Sequence, residues 1–142
     1  MTDIFIDTDV IVDFLIDRKP YSTEAAVIFT LIDKKMLHGY TSSLSFSNLY
    51  YLLRKLETHN RAIAKLESLA EIIDILKVDG NSIRRALQSD FPDFEDGIQY
   101  FSAAEYKKIS VIITRNTRDY RKSALPVMTP AEFLKAVAGG NP

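Results

Sequence analysis

Ile4-Phe5-Ile6-Asp7-Thr8-Asp9-Val10-Ile11 is the stretch that decides the fold class of this chain. Three apolar, β-favouring residues in a row read as a short strand covered on both faces, because such a strand needs no polar alternation. Asp7 ends the run. Thr8 or Asp9 is then placed to cap a short helix carrying Val10, Ile11, Phe14 and Leu15. The pattern of strand, polar residue and helix recurs along the chain. Pro20 and Ser22-Thr23 open a helix through Ala25, Ile28, Phe29, Leu31 and Ile32. His38 to Thr41 reads as a second strand. Ser43 or Ser45 caps a helix with Leu49, Leu52, Leu53 and Leu56 on one face, and Asn60 caps another that runs to about Leu69. Ile72 to Val78 reads as a third strand, followed by a turn at Gly80-Asn81 and a short helix through Ile83 and Leu87. Pro92-Asp93 starts a helix through Ile98, Phe101 and Ala104 to Tyr106. Val111-Ile112-Ile113 is a fourth strand and Pro126-Val127-Met128 a fifth. Thr129-Pro130 then starts the last helix, since Pro suits the first helical position. Strands alternating with helices predict an α/β fold, a three-layer α/β/α sandwich around a mainly parallel sheet of about five short strands.

The 142 residues suit one domain, expected over residues 1–138, with a frayed tail over 139–142. Apolar residues make up 46% and charged residues 26%, so a hydrophobic core is affordable and the chain reads as globular. The net charge of -1 gives no global field toward nucleic acid or membrane, so any nucleic-acid site is a local basic patch. With no cysteine, disulfides, thiolate zinc sites and a cysteine nucleophile are excluded, which fits a reducing, cytoplasmic location. Met1-Thr2-Asp3 lacks the basic start of a signal peptide. No apolar stretch reaches the ~18 residues of a membrane span.

The acids carry the chemistry. Asp7 follows the first strand, Asp93 and Asp96 open a helix, and Asp119 follows the fourth strand. In an open α/β sheet such positions converge at the carboxyl edge, where ligands bind. Converged carboxylates repel one another unless a cation lies between them, and an all-oxygen donor set suits Mg²⁺ or Mn²⁺. Each residue also has a plainer role. Asp7 suits a helix N-cap, acids in a first turn suit the helix dipole, and Asn116 suits an Asx-turn. Asp93 and Asp96, three apart, share a face, whereas Glu95 points elsewhere. Asp9 reads as a cap, and Asp13 and Asp17 as a solvated helix face.

Four segments resemble PIN domains, over residues 3–136 or so. Phe5-Ile6-Asp7-Thr8-Asp9-Val10-Ile11-Val12-Asp13 resembles their opening, where an Asp-Thr-Asn-type sequence is usual. Asp93-Phe94-Glu95-Asp96-Gly97-Ile98-Gln99 resembles their third acidic segment, and Ile113-Thr114-Arg115-Asn116-Thr117-Arg118-Asp119-Tyr120 their last. Pro126-Val127-Met128-Thr129-Pro130-Ala131-Glu132-Phe133-Leu134 resembles their C-terminal strand and helix. The resemblance implies a small α/β/α protein with a parallel sheet. It also implies a ribonuclease dependent on Mg²⁺ or Mn²⁺, of the kind that includes the VapC toxins of toxin–antitoxin pairs. One position departs from the family. Thr41-Ser42-Ser43-Leu44-Ser45-Phe46-Ser47-Asn48-Leu49-Tyr50-Tyr51 resembles the segment that usually supplies a Glu, and Asn48 stands there. An amide ligates through its carbonyl oxygen but brings no charge, so the swap weakens metal affinity or changes the ions held.

On this reading Asp7, Asp96 and Asp119 are the catalytic and metal-holding residues, with Asp93, Asn48, Asn116, Thr8 and Thr114 as auxiliaries. Thr8 or Thr114 would orient a water, and Asn116 would be a ligand or an orienter. Arg115, Arg118, Arg121 and Lys122 would contact RNA phosphates, with Arg54-Lys55 nearby, or would be ordinary surface charges. Tyr40, Tyr50, Tyr51 and Tyr100 suit base stacking or packing. His38 and His59 have no metal-ligand spacing. A VapC-like chain would form a homodimer, pair with a small antitoxin and have no membrane partner. The Leu- and Tyr-rich helices from Leu49 to Leu69 offer an apolar surface for such contacts. Two further readings stand beside this one: a degenerate PIN module that binds RNA or a protein partner without cutting, and a haloacid dehalogenase-like phosphatase with Asp7 as nucleophile. The second needs a later Lys and acidic pair, and Arg115-Asn116 stands where the pair is missing.

Overall fold

The centre of the sheet is β1 (Thr2–Ile6). In the computed structural model, which describes residues 2–139, β1 runs parallel to β2 (Leu37–Ser42) on one side and β4 (Val111–Ile113) on the other. Beyond β2 lies β3 (Asp74–Leu76), and beyond β4 lies β5 (Val127–Met128). The order β3-β2-β1-β4-β5 is parallel throughout. The helices are α1 (Thr8–Leu15), α2 (Ser22–Asp33), α3 (Ser43–Arg54), α4 (His59–Ile72), α5 (Gly80–Leu87), α6 (Phe94–Glu105) and α7 (Pro130–Ala138).

Alternate strand residues feed two separate cores. Ile4, Ile6, Val111 and Ile113 point to one face, where they pack with Val10, Ile28, Leu49, Leu69 and Phe133 from α1, α2, α3, α4 and α7. Phe5 and Ile112 point to the other, with Tyr40, Tyr100, Ala103 and Tyr120. α6 covers that face and α5 packs on α6. This is the expected three-layer α/β/α sandwich. The unbroken apolar strands follow from burial on both sides. Gly39 in β2 allows close cover by α2, since a Cβ there would lie 2.7 Å from Ile32 Cδ1.

The chain winds from β1 to β2 and β3, then crosses back to place β4 and β5 on the other flank of β1. The crossovers therefore diverge between β1 and β4. Such a switch point leaves a crevice at the carboxyl ends of the strands.

Several element ends differ from expectation. Ser42 rather than Ser43 or Ser45 caps α3, while of the caps the sequence offers for α1 (Asp7, Thr8 and Asp9) it is Asp7 that serves. Thr58 caps α4, so the helix starts before Asn60. It also runs on to Ile72, because Ala62, Leu66, Leu69 and Ile73 continue one buried helical stripe. The third strand is accordingly shorter than Ile72 to Val78. Thr129 caps α7 in a full capping box with Glu132. Of the tail expected over 139–142, only Gly139 is among the described residues, where it caps α7. Among the described residues, no helix is long and apolar enough to cross a membrane.

Candidate functional site

Asp7 holds both roles that its sequence suggested. It is the residue after β1, and its Oδ1 accepts the Thr8 backbone N–H at 2.8 Å as the cap of α1. Its Oδ2 accepts the hydroxyl of Thr114, the residue after β4, at 2.8 Å. The two strands that flank the switch point are thus joined at their carboxyl ends by this buried side-chain hydrogen bond and by the Asp7 backbone N–H, which donates to the Ile113 carbonyl at 2.9 Å. Asp9 lies one helical step on. Its Oδ2 accepts the Arg115 backbone N–H at 3.1 Å, while its Oδ1 is buried with no hydrogen-bond partner.

α6 brings the second group of acids. Asp93 caps it, with Oδ1 accepting from Asp96 N at 3.0 Å. Asp96 is half-buried, and the Tyr120 hydroxyl lies 3.4 Å from its Oδ1. Asp119 comes from the one-turn 3₁₀ helix Thr117–Tyr120 that follows β4. These pieces enclose a cavity of about 360 Å³. Six carboxylates line it, from Asp7, Asp9, Asp93, Glu95, Asp96 and Asp119, and Arg18 is the one cation among the lining residues.

The crowding shows in the titration of the acids. Burial, with Asp9 and Asp96 nearby, pushes Asp7 up to about 8, against the smaller opposing effect of the Thr114 and Thr8 hydrogen bonds. Burial, with Asp93 and Asp119, pushes Asp96 up to about 7. Asp9 is raised by burial too, and Arg115 opposes the shift. Tyr120 is held well above its usual range by burial and by Asp7 and Asp96, so its hydroxyl stays a donor.

The donor set tests whether a cation fits. All donors are oxygens, one of them is a buried carboxylate oxygen without a partner, and the acids raise one another's proton affinity. Among the described residues, no three His, Cys, Asp or Glu side chains are gathered tightly enough to hold a bare ion. An all-oxygen set of this spacing would suit a hydrated Mg²⁺ or Mn²⁺, which takes one or two carboxylates directly and meets others through water. It does not suit a dry cage of carboxylates.

Thr8 and Asn116, expected as auxiliaries, line the cavity. Asn48, on α3, donates Nδ2 to Glu95 Oε2 at 3.2 Å. Arg118, Arg121 and Lys122 are exposed around the 3₁₀ helix. Arg115, expected as an RNA contact, is turned away from that role. Its Nε lies 2.6 Å and its NH2 3.2 Å from the carboxylate of Asp13, and its guanidinium lies over the Tyr21 ring at 4.0 Å. Asp13 is correspondingly 1% exposed, not a solvated acid. Tyr40 and Tyr100 are core residues, whereas Tyr51 is exposed. His38 bridges Asp74 and Asp3, and His59 begins α4.

Sequence reasoning passed over Asp9, Glu95, Gln99 and Arg18 as lining residues. Gln99, 2% exposed, donates Nε2 to Ser45 Oγ at 2.5 Å and Thr8 Oγ1 at 3.2 Å, and its Oε1 accepts from Ser42. A polar side chain on the face of α6 that buries Tyr100 and Ala103 was the available signal.

A profile of the PIN domain family matches residues 3–118. Ribonuclease VapC1 of Aquifex aeolicus (strain VF5) is 27% identical over 140 residues, 93% of each chain. Two solved structures share the fold. DNA-bound VapBC from Salmonella typhimurium superposes with a TM-score of 0.69 at 18% identity, over 92% of this chain and 99% of that one. A toxin–antitoxin complex from Klebsiella pneumoniae does so with a TM-score of 0.60 at 20% identity, over 89% and 97%. With its opening Asp7-Thr8-Asp9 at the switch point of such a sheet, the chain belongs to the PIN domain family, not to the haloacid dehalogenase-like phosphatases that this opening also suits.

Proposed function

We propose that this chain is a Mg²⁺- or Mn²⁺-dependent ribonuclease that hydrolyses RNA phosphodiester bonds as the toxin of a toxin–antitoxin pair. The observation that carries the reading is the cavity at the β1–β4 switch point, with six carboxylates against one cation. The name of the Aquifex relative supports the activity, and the Klebsiella complex supports an antitoxin partner.

Asp7, Asp96 and Asp119 would hold the cation, directly or through water, with Asp93 beside Asp96. A bound divalent ion supplies Lewis-acid stabilisation of the charge that builds on the phosphate oxygens, and acidity for the attacking water. The chain's own groups do the rest. Thr114 donates to Asp7 and keeps its carboxylate aimed at the cavity. Tyr120 does the same for Asp96. Thr8 and Asn116 offer oxygens to orient a water. Arg118, Arg121 and Lys122 draw the phosphate backbone to the mouth without reading bases. The exposed Tyr51 and Leu56 near the end of α3 give a homodimer an apolar contact.

The test is RNA cleavage by the purified chain with added Mn²⁺. Chelation should stop it, and Asp7→Asn should lower it by about a hundredfold or more. Cleavage that survives Asp7→Asn intact would sink the assignment. The uncharged Asn48 favours one rival, a degenerate module that binds RNA without cutting. That rival wins if the wild type is inert with Mn²⁺ and still retains RNA.

A further inference from the structure

Glu95 sits in a first helical turn, where the dipole alone accounts for an acid. The dipole does not account for which way it points. Asp93 and Asp96 share a face of α6, and Glu95 lies roughly 100° around the helix from Asp96 and about 160° from Asp93. Yet Glu95 also lines the cavity. What holds it there is Asn48 on α3, whose Nδ2 lies 3.2 Å from Glu95 Oε2.

The two residues make sense as a pair. A carboxylate at position 48 would stand beside that of Glu95, and two like charges at such a distance repel. A neutral amide removes the repulsion and donates a hydrogen bond instead. That bond occupies about one of the four lone-pair positions of the carboxylate, which leaves the rest for a cation or its waters. The charge missing from α3 thus reappears on α6, on the residue that Asn48 touches.

We propose that Glu95, positioned by Asn48, is a cation-binding carboxylate of this site and replaces from α6 the negative charge that α3 lacks. This rests on the reading of the cavity as a divalent-cation site. An exposed amide–carboxylate contact with no such role would contribute little to anything measurable.

Mn²⁺ binding to the full chain, followed by calorimetry and by the electron paramagnetic resonance of free Mn²⁺, separates these outcomes. Glu95→Gln should weaken Mn²⁺ binding about tenfold while the melting temperature without metal stays unchanged. The double variant Asn48→Glu/Glu95→Gln, which moves the carboxylate back to α3, should recover affinity to within about threefold of wild type. Glu95→Asp retracts the charge by one methylene and loses the reach to Asn48, so it should bind more weakly than wild type. Unchanged affinity in Glu95→Gln, with binding lost in Asp7→Asn, overturns the role of Glu95 and leaves the site standing. A double variant no better than Glu95→Gln, or Glu95→Asp equal to wild type, also overturns it. No Mn²⁺ binding by wild type overturns the site and Glu95 together.

Discussion

Arg115 and Asp13 find each other across the molecule, at 2.6 Å, and their pairing ties the loop after β4 to α1. Asp13 has a weaker second partner in Arg18 at 3.7 Å. Removing Arg115 leaves a buried carboxylate poorly compensated. Arg115→Ala should therefore lower stability by about 3 kcal/mol, read from urea unfolding. A loss under about 1 kcal/mol would mean that Arg18 suffices. Asp7, Asp96 and Asp119, which the sequence singles out, line the cavity from the ends of strands or a helix start, where position along the chain fixes direction. Those that sequence reasoning misjudged depend on a partner far away. Asp9 accepts from a backbone N–H 106 positions on, and Glu95 is held by a side chain 47 positions back. No local pattern carries such information. The same holds for Arg115, whose charge signals a surface residue until Asp13 and Tyr21 enclose it.

Among the elements, α6 is tied to the rest of the site through Gln99. One amide joins the ends of β2 and α3, through Ser42 and Ser45, to the start of α1 at Thr8. Ser42 and Ser45 are fully buried, so Gln99→Leu would leave the Ser42 hydroxyl with no acceptor and Ser45 with Thr8 alone at 2.8 Å. That variant should lose about 2 kcal/mol and weaken Mn²⁺ binding, because Thr8 and the carboxylate of Asp7 lose their support. Equal stability and equal binding would show that the network is ornamental. Elements with a long buried stripe, such as α2 and α4, were legible from the sequence in kind. Their ends were less so, because caps at Asp7, Ser42 and Thr58 are chosen by which side chain reaches a free N–H. β3, only three residues, is fixed by pairing to β2 rather than by its own pattern.

At the scale of the whole molecule the crowded acids set a dependence on pH. An aspartate in the unfolded chain titrates near 4, whereas Asp7 and Asp96 in the fold are pushed up to about 8 and about 7. The folded state then binds more protons than the unfolded one between those values, so stability falls as pH rises through them. Without metal, the melting temperature should be roughly 5 °C higher at about pH 5.5 than at about pH 8.5. Mn²⁺ should close most of that gap, and Asp7→Asn should flatten the slope in metal-free protein. A melting temperature that is level or rising over this range would contradict the raised proton affinity of these buried, crowded acids. The winding of the sheet has a further consequence, for synthesis. β1 emerges from the ribosome first but lies at the centre, where Ile4 pairs with Val111 and Asp7 with Thr114. The first carboxylate waits for the last, and a nascent chain stalled before Val111 lacks both β4 beside β1 and the Asp119 wall of the cavity. The cavity draws its lining from both ends of the chain, Asp7 and Asp119, so its walls meet only once translation has passed that point.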